Sequence, residues 1–157
     1  MLLCQISDPH VVCEGELAYG RVDTGQMLER CVRKILALPR LPDAVVATGD
    51  LTDHGSVEEY TLLAELLAPL RMPLYLAVGN HDDSRALRSV FPQHTYLAGE
   101  NGFVQYAVDD FDVRLVVLDT TVPGAPGGEL CARRLQWLDR TLGESDRPTI
   151  IAQHHPP

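Results

Sequence analysis

Five apolar runs in this sequence end on side chains of the kind that bind cations. Residues 2–7 lead into Asp8-Pro9-His10, and residues 43–49 lead into Asp50. Residues 73–79 lead into Asn80-His81-Asp82, residues 113–118 into Asp119, and residues 149–153 into His154-His155. Carboxylates, an amide oxygen and imidazoles, with no thiolate among them, suit Mn, Fe, Co or Zn. Two divalent ions about 3.5–4 Å apart need one ligand that touches both, and a carboxylate with two oxygens can do so. Asp50 is the candidate bridge. Asp8 and His10, two residues apart where the chain leaves a strand, are candidates for one ion. Asn80 and His154 are candidates for the other. Such a pair acidifies a bound water, so that hydroxide is available near neutral pH, and clamps phosphate oxygens as charge shifts. The chemistry this points to is that of a two-metal hydrolase.

Taken singly, each piece supports a plainer reading. Asp8-Pro9 reads as a turn after a strand, Asp50 as a loop cap and Asn80 as a turn residue. Their order along the chain, each at the end of an apolar run, is what makes them one set. Gly49 and Gly79 stand directly before Asp50 and Asn80, where a positive φ or a close backbone approach is useful. Asp82 and Asp83 read as caps of a following helix. His155 reads as a packing or supporting residue. Asp119 is equally a turn acid or a group that orients its neighbours. His54 and His94 fall in polar loops and are expected at the surface. Tyr19 and Asp23 are candidates for a pocket rim.

Ligands in an open α/β sheet gather at the carboxyl ends of the strands, so the apolar runs should be strands of such a sheet. Between them lie helical patterns. Thr24 is a plausible cap for a helix over residues 25–38, with Met27, Leu28, Cys31, Ile35 and Leu38 as its apolar stripe. Ser56 opens a helix through Leu67, with Glu58 and Glu59 in the first turn where the dipole favours them. A short helix is expected near residues 83–90 and a polar loop over 93–102. Residues 103–108 and 113–118 read as a hairpin. A last helix carries Leu135, Leu138 and Leu142 on one side, with Trp137 within it. The alternation argues an α/β protein with a largely parallel sheet, made mixed by the hairpin.

The 157 residues fit one domain. A net charge of -9, with no basic stripe, argues against a duplex nucleic-acid partner. The sequence contains no membrane segment and no signal-peptide pattern at residues 1–7. Its four cysteines lack CxxC spacing, so a reducing, cytoplasmic compartment is expected, with Cys4 and Cys31 as buried thiols.

Asp8-x-His10, Gly49-Asp50, Gly79-Asn80-His81-Asp82 and His154-His155, in that order, resemble the motifs of the calcineurin-like metallophosphoesterases. The resemblance is closer to the class III cyclic nucleotide phosphodiesterases and the related glycerophosphodiesterases. It extends through Tyr19-Gly20 with Asp23, Pro42-Asp43-Ala44-Val45, Glu59-Tyr60, Asp83 and Pro156-Pro157. It implies an αββα sandwich with mixed sheets. It also implies a phosphodiesterase using two divalent metal ions, with Asp8, His10, Asp50, Asn80 and His154 as ligands. His81 would contact the phosphate and assist the leaving group. The implied substrate is a small-molecule phosphodiester, either a 3′,5′-cyclic nucleotide or a glycerophosphodiester.

The family pattern continues to a Gly-His-x-His segment with one histidine for each metal, and these 157 residues contain none. Residues 1–157 are therefore expected to be the N-terminal portion of a single catalytic domain whose C-terminal part is missing. Metal affinity should be reduced, and an exposed sheet face and strand edge would favour a homo-oligomer. The alternative function is a truncated, catalytically impaired remnant that binds metal weakly without turnover. A nucleic-acid binder or nuclease subunit is a third reading, which the acidic composition opposes.

Overall fold

Residues 44–48 (Ala-Val-Val-Ala-Thr) are buried at every position, which is what a strand covered on both faces requires. This strand, β2 (Ala44–Thr48), is the centre of a parallel sheet with β1 (Leu3–Ile6) on one side and β3 (Leu74–Ala77) on the other. The computed structural model describes residues 1–156; the last proline of the His-His-Pro-Pro motif lies outside them. A second sheet has the order β4 (Tyr106–Val108), β5 (Arg114–Val117), β6 (Thr149–Ala152). Its first pair is the expected antiparallel hairpin and its second pair is parallel. The chain thus forms two three-stranded sheets, one parallel and one mixed, rather than a single sheet with a hairpin added.

The sheets meet through tyrosines. Tyr106 donates from its hydroxyl to the Leu76 carbonyl at 2.8 Å, and Tyr96 donates to the Leu74 carbonyl at 2.8 Å. The rings of Tyr75, Tyr96 and Tyr106 pack together between the sheets. Helices α1 (Thr24–Leu36) and α2 (Val57–Leu67) add Leu28, Val32, Ile35, Tyr60 and Leu63 to the same core. A short helix, α3 (Ser84–Val90), follows β3. Helix α4 (Ala132–Gly143) sets Trp137 against Val116 and Leu118 of the second sheet.

Three local expectations are corrected. Helix α1 is capped by Asp23, whose carboxylate accepts from the Gln26 N–H at 2.8 Å, and Thr24 is already helical. Its buried stripe is Thr24, Leu28, Val32 and Ile35. Met27 is exposed, and Leu38 lies beyond the end of the helix. In α4 the buried residues are Arg134, Trp137 and Thr141, while Leu135 and Leu142 face solvent. Arg134 faces inward because its guanidinium donates to the carbonyls of Asp119 and Thr121 and lies 4.4 Å from the Phe103 ring centroid. A buried cation is tolerated when carbonyls take up its terminal N–H groups in this way, although Nε has no partner among the described residues. The segment 93–102 holds a single 3-10 turn, Thr95–Ala98.

Strands β1 and β6 are sheet edges. Ile150 and Ile151 of β6 are exposed, and a cleft of about 700 Å³ opens between the sheets, lined by Leu3, Val46, Ile150 and Ala152 among others. All four cysteines are free and half-buried. Among the described residues, no helix is long and apolar enough to cross a membrane.

Candidate metal centre

The chain leaving β1 runs beside the chain leaving β2. Asp8, His10 and Val11 donate their N–H groups to the carbonyls of Gly49, Asp50 and Leu51 at 3.3, 3.0 and 3.1 Å. This pairing continues past the strands and carries Asp8 and His10 to Asp50. It also forces unusual backbone. Asp8, His10 and Asp50 have φ of 51°, 42° and 46°. Left-handed backbone at a residue with a side chain costs on the order of 1–3 kcal/mol and gathers at functional sites.

Two glycines permit the close approach. Gly49 has φ 92°, and a Cβ there would lie 2.7 Å from the Gly79 nitrogen and 2.8 Å from the His154 Cβ. A Cβ on Gly79 would overlap the Asp50 carboxylate. The loops after β2, β3 and β6 therefore converge on Asp50, which is buried.

Three imidazoles surround its carboxylate. His10 Nε2 is 3.5 Å from Oδ2, His81 Nε2 is 4.0 Å from Oδ2, and His154 Nε2 is 3.4 Å from Oδ1. Each ring uses its other nitrogen elsewhere. His10 Nδ1 lies 2.9 Å from Asp53 Oδ1, His81 Nδ1 lies 2.7 Å from the Asp53 carbonyl, and His154 Nδ1 lies 3.0 Å from the Thr48 carbonyl. These partners accept only, so each Nδ1 donates to them and Nε2 is the nitrogen turned toward Asp50.

The His10 and His154 Nε2 atoms thus face opposite oxygens of one carboxylate. A divalent cation would fit between such a nitrogen and oxygen. Two ligand atoms, each about 2.1 Å from one ion at a tetrahedral angle, lie about 3.4 Å apart. The donor set, oxygen and nitrogen without thiolate, suits divalent cations. Asp8, His10 and Asp50 also form a cluster compact enough for one ion. Asn80 lies in the loop wrapped round Asp50, between Gly79 and His81, and the His81 N–H donates to Asp50 Oδ1 at 3.0 Å. His10, Asp53 and His81 make a second compact cluster. Its Nδ1 atoms are already donating, so it is a clamp that orients the rings rather than a place for an ion.

Asp53, which orients two histidines, is absent from the candidates read off the sequence. Its available signal was its place three residues beyond Asp50 in the same loop. Asp82 was expected to cap a helix, but the cap of α3 is Asp83, which accepts from the N–H groups of Arg85 and Ala86. Asp82 instead accepts from Gly79, Leu51, Thr52 and the Tyr60 hydroxyl, and burial pushes its carboxyl up to about 6. Asp119 is taken up in its own loop, accepting from the N–H groups of Val104 and Thr121 and from the Thr121 hydroxyl.

His155 is buried against Thr120, with 2.7 Å between Nδ1 and the hydroxyl oxygen. His94 is half-buried against Phe91 and Tyr96 rather than exposed, and burial lowers its pKa. His54 is exposed as expected; its Nδ1 lies 2.8 Å from the buried Glu59, whose carboxylate raises its pKa. Tyr19 lines a recess of about 340 Å³ beside Asp8 and His10.

The sequence model described as calcineurin-like phosphoesterase matches residues 1–157. The chain is 37% identical over 158 residues to a protein described as a probable glycerophosphodiester phosphodiesterase GpdQ, from Arcobacter nitrofigilis, covering 100% of this chain and 58% of that one. It is 37% identical to the glycerophosphodiester phosphodiesterase GpdQ of Enterobacter lignolyticus, covering 100% of this chain and 57% of the relative. It is 32% identical to the 3′,5′-cyclic adenosine monophosphate phosphodiesterase CpdA of Pseudomonas aeruginosa, covering 100% and 56%. The chain thus spans somewhat over half the length of these relatives. Among solved structures, the purple acid phosphatase PPD1 from yellow lupin (Lupinus luteus) seeds shares the fold, with a TM-score of 0.61 at 18% identity. That match covers 95% of this chain and 29% of the phosphatase.

Proposed function

Because the chain belongs to the calcineurin-like phosphoesterase family, we propose that residues 1–157 carry the greater part of a dinuclear phosphodiesterase centre. The observation that carries this reading is the division of the Asp50 carboxylate between His10 and His154, whose Nδ1 atoms are both already engaged. Asp8, His10 and Asp50 would hold one divalent ion; Asp50, Asn80 and His154 would hold the other. Oxygen and nitrogen donors without thiolate suit Mn, Fe, Co or Zn. Such ions supply Lewis acidity to a phosphate and an acidified water as the attacking group.

The chain's own residues do the rest. Asp50, buried where the loops after β2, β3 and β6 converge, would be shared by the two sites. Asp53 holds the His10 ring with Nε2 inward, and Thr48 does the same for His154. His81 donates Nδ1–H to the Asp53 carbonyl, so Nε2 is where it gains or loses a proton. In the imidazolium form, Nε2–H gives its proton to the leaving oxygen of the diester as the P–O bond breaks. His81 is more open than its neighbours, with 37% of its side chain exposed against 10% for His154, as a group that meets substrate must be. The substrate class is a small phosphodiester, a glycerophosphodiester or a 3′,5′-cyclic nucleotide, following the named activities of the relatives.

The test is hydrolysis of bis(p-nitrophenyl) phosphate with added Mn²⁺, with and without Asp50→Ala. Loss of turnover together with loss of Mn²⁺ binding supports the reading. Turnover that survives removal of Asp50 removes it.

A further inference from the structure

Asp50 has left-handed backbone and sits beyond the end of β2, so hydrogen bonds within that strand do not hold it. The N–H groups of its neighbours are gathered by one carboxylate. The Leu51 N–H is shared between both oxygens of Asp82, at 3.1 Å each. The Thr52 N–H reaches Oδ1 at 3.4 Å, and the Gly79 N–H reaches Oδ2 at 2.8 Å. Asp82 therefore ties the backbone just after Asp50 to the backbone just before Asn80. The Asp82 N–H closes the same loop by donating to the Gly79 carbonyl at 3.2 Å.

The carboxylate is anchored from outside the loops. Tyr60 of α2 is fully buried, donates from its hydroxyl to Asp82 Oδ1 at 2.8 Å and accepts from the Asp83 N–H at 3.1 Å. A phenol can do both at once. Helix α2 is itself fixed by a capping box, in which Ser56 accepts from the Glu59 N–H and Glu59 accepts from the Ser56 N–H. Rigid helix, phenol, carboxylate and two loops thus form one chain of contacts.

We propose that Tyr60 and Asp82 are positioning residues that set the separation of Asp50 and Asn80, and so the spacing of the cation pair. This rests on the two-ion reading of the site. Asp82 acts through backbone and takes no ion itself.

The test compares Tyr60→Phe with Tyr106→Phe. Each deletes one hydroxyl from a buried tyrosine, but the Tyr106 hydroxyl bonds the Leu76 carbonyl in the core and touches neither loop. Mn²⁺ binding is followed by calorimetry, the coupling of the two Mn²⁺ ions by electron paramagnetic resonance, and folding by near-UV circular dichroism. Tyr60→Phe should weaken Mn²⁺ binding by about 10- to 100-fold, as loss of a group supporting metal ligands does. It should also alter the Mn–Mn coupling and depress kcat at saturating Mn²⁺ with little change in KM. Tyr106→Phe should lower the melting temperature and leave all three readouts unchanged. Asp82→Asn, which turns an N–H₂ toward one backbone donor, should follow Tyr60→Phe.

Folded Tyr60→Phe with unchanged affinity, coupling and kcat would overturn the proposal, as would equal effects from both phenol deletions. Failure of the two-ion reading looks different: the unsubstituted protein would bind fewer than two Mn²⁺, or Asp50→Ala would still bind both.

Discussion

Asp50 and Asp119 sit at matching places, each closing an apolar strand, at 5% and 2% exposure. Their surroundings are opposite. Asp50 receives one backbone N–H and faces three imidazoles. Asp119 receives two backbone N–H groups and a hydroxyl and faces no imidazole among the described hydrogen bonds and ion pairs. The first carboxylate keeps acceptor capacity that the protein leaves unfilled. The second is used up holding a loop. A buried acid becomes a candidate for chemistry when its lone pairs are not all taken by donors.

Substitutions put this contrast at risk. Asp50→Ala should lower phosphodiester hydrolysis on the order of 10³-fold or more, as loss of a group central to charge stabilisation does. If Asp119→Ala lost Mn²⁺ binding to the same degree, the two acids would not differ as described. Asp53→Asn should weaken Mn²⁺ binding about 10- to 100-fold, measured by calorimetry, because an amide can turn its N–H₂ toward the His10 Nδ1–H and release the ring. Asp119→Ala should keep Mn²⁺ affinity but cost about 1–3 kcal/mol in urea unfolding, since the Val104 and Thr121 N–H groups lose their acceptor.

The smallest effect belongs to His54. Its folded pKa is raised by Glu59, so the stability it contributes is full below pH 6.5 and is lost as pH rises through the raised value. With 67% of its side chain exposed, His54→Gln should cost less than about 1 kcal/mol at the acid end. The difference in melting temperature from the unsubstituted protein should shrink as the pH is raised.

Much of this architecture was legible along the chain. Short apolar runs marked the strands, most plainly at β2, where burial on both faces leaves little room for polar side chains. Ser56 marked the start of α2, with Glu58 and Glu59 where the helix dipole favours acids; that Ser56 and Glu59 also close a capping box emerged with the fold. Gly49 and Gly79 stood out because a missing Cβ next to candidate ligands lets two loops approach within backbone contact. Helix faces were less legible. Leu135 and Leu142 suggested the wrong side of α4, because Arg134 finds its carbonyl partners in a loop distant in sequence. Thr24 read as the cap of α1, but the helix begins one residue earlier than that reading placed it and Asp23 takes the role.

Asp53, Asp82 and Tyr60 were missed as supports because their meaning is relational. Asp53 meets an imidazole 43 residues away, and Tyr60 meets a carboxylate 22 residues away. Nothing in a polar loop or a helical turn records such a partner. The positive φ values of Asp8, His10 and Asp50 were equally hidden, since no glycine stands at those three positions to announce them.

Residue type and order established which atoms this protein can offer to a cation, because donor chemistry belongs to the side chain. Folding alone selected which lone pairs stay free to be offered. That choice depends on the partner each second nitrogen or oxygen finds, and the partners arrive from other strands.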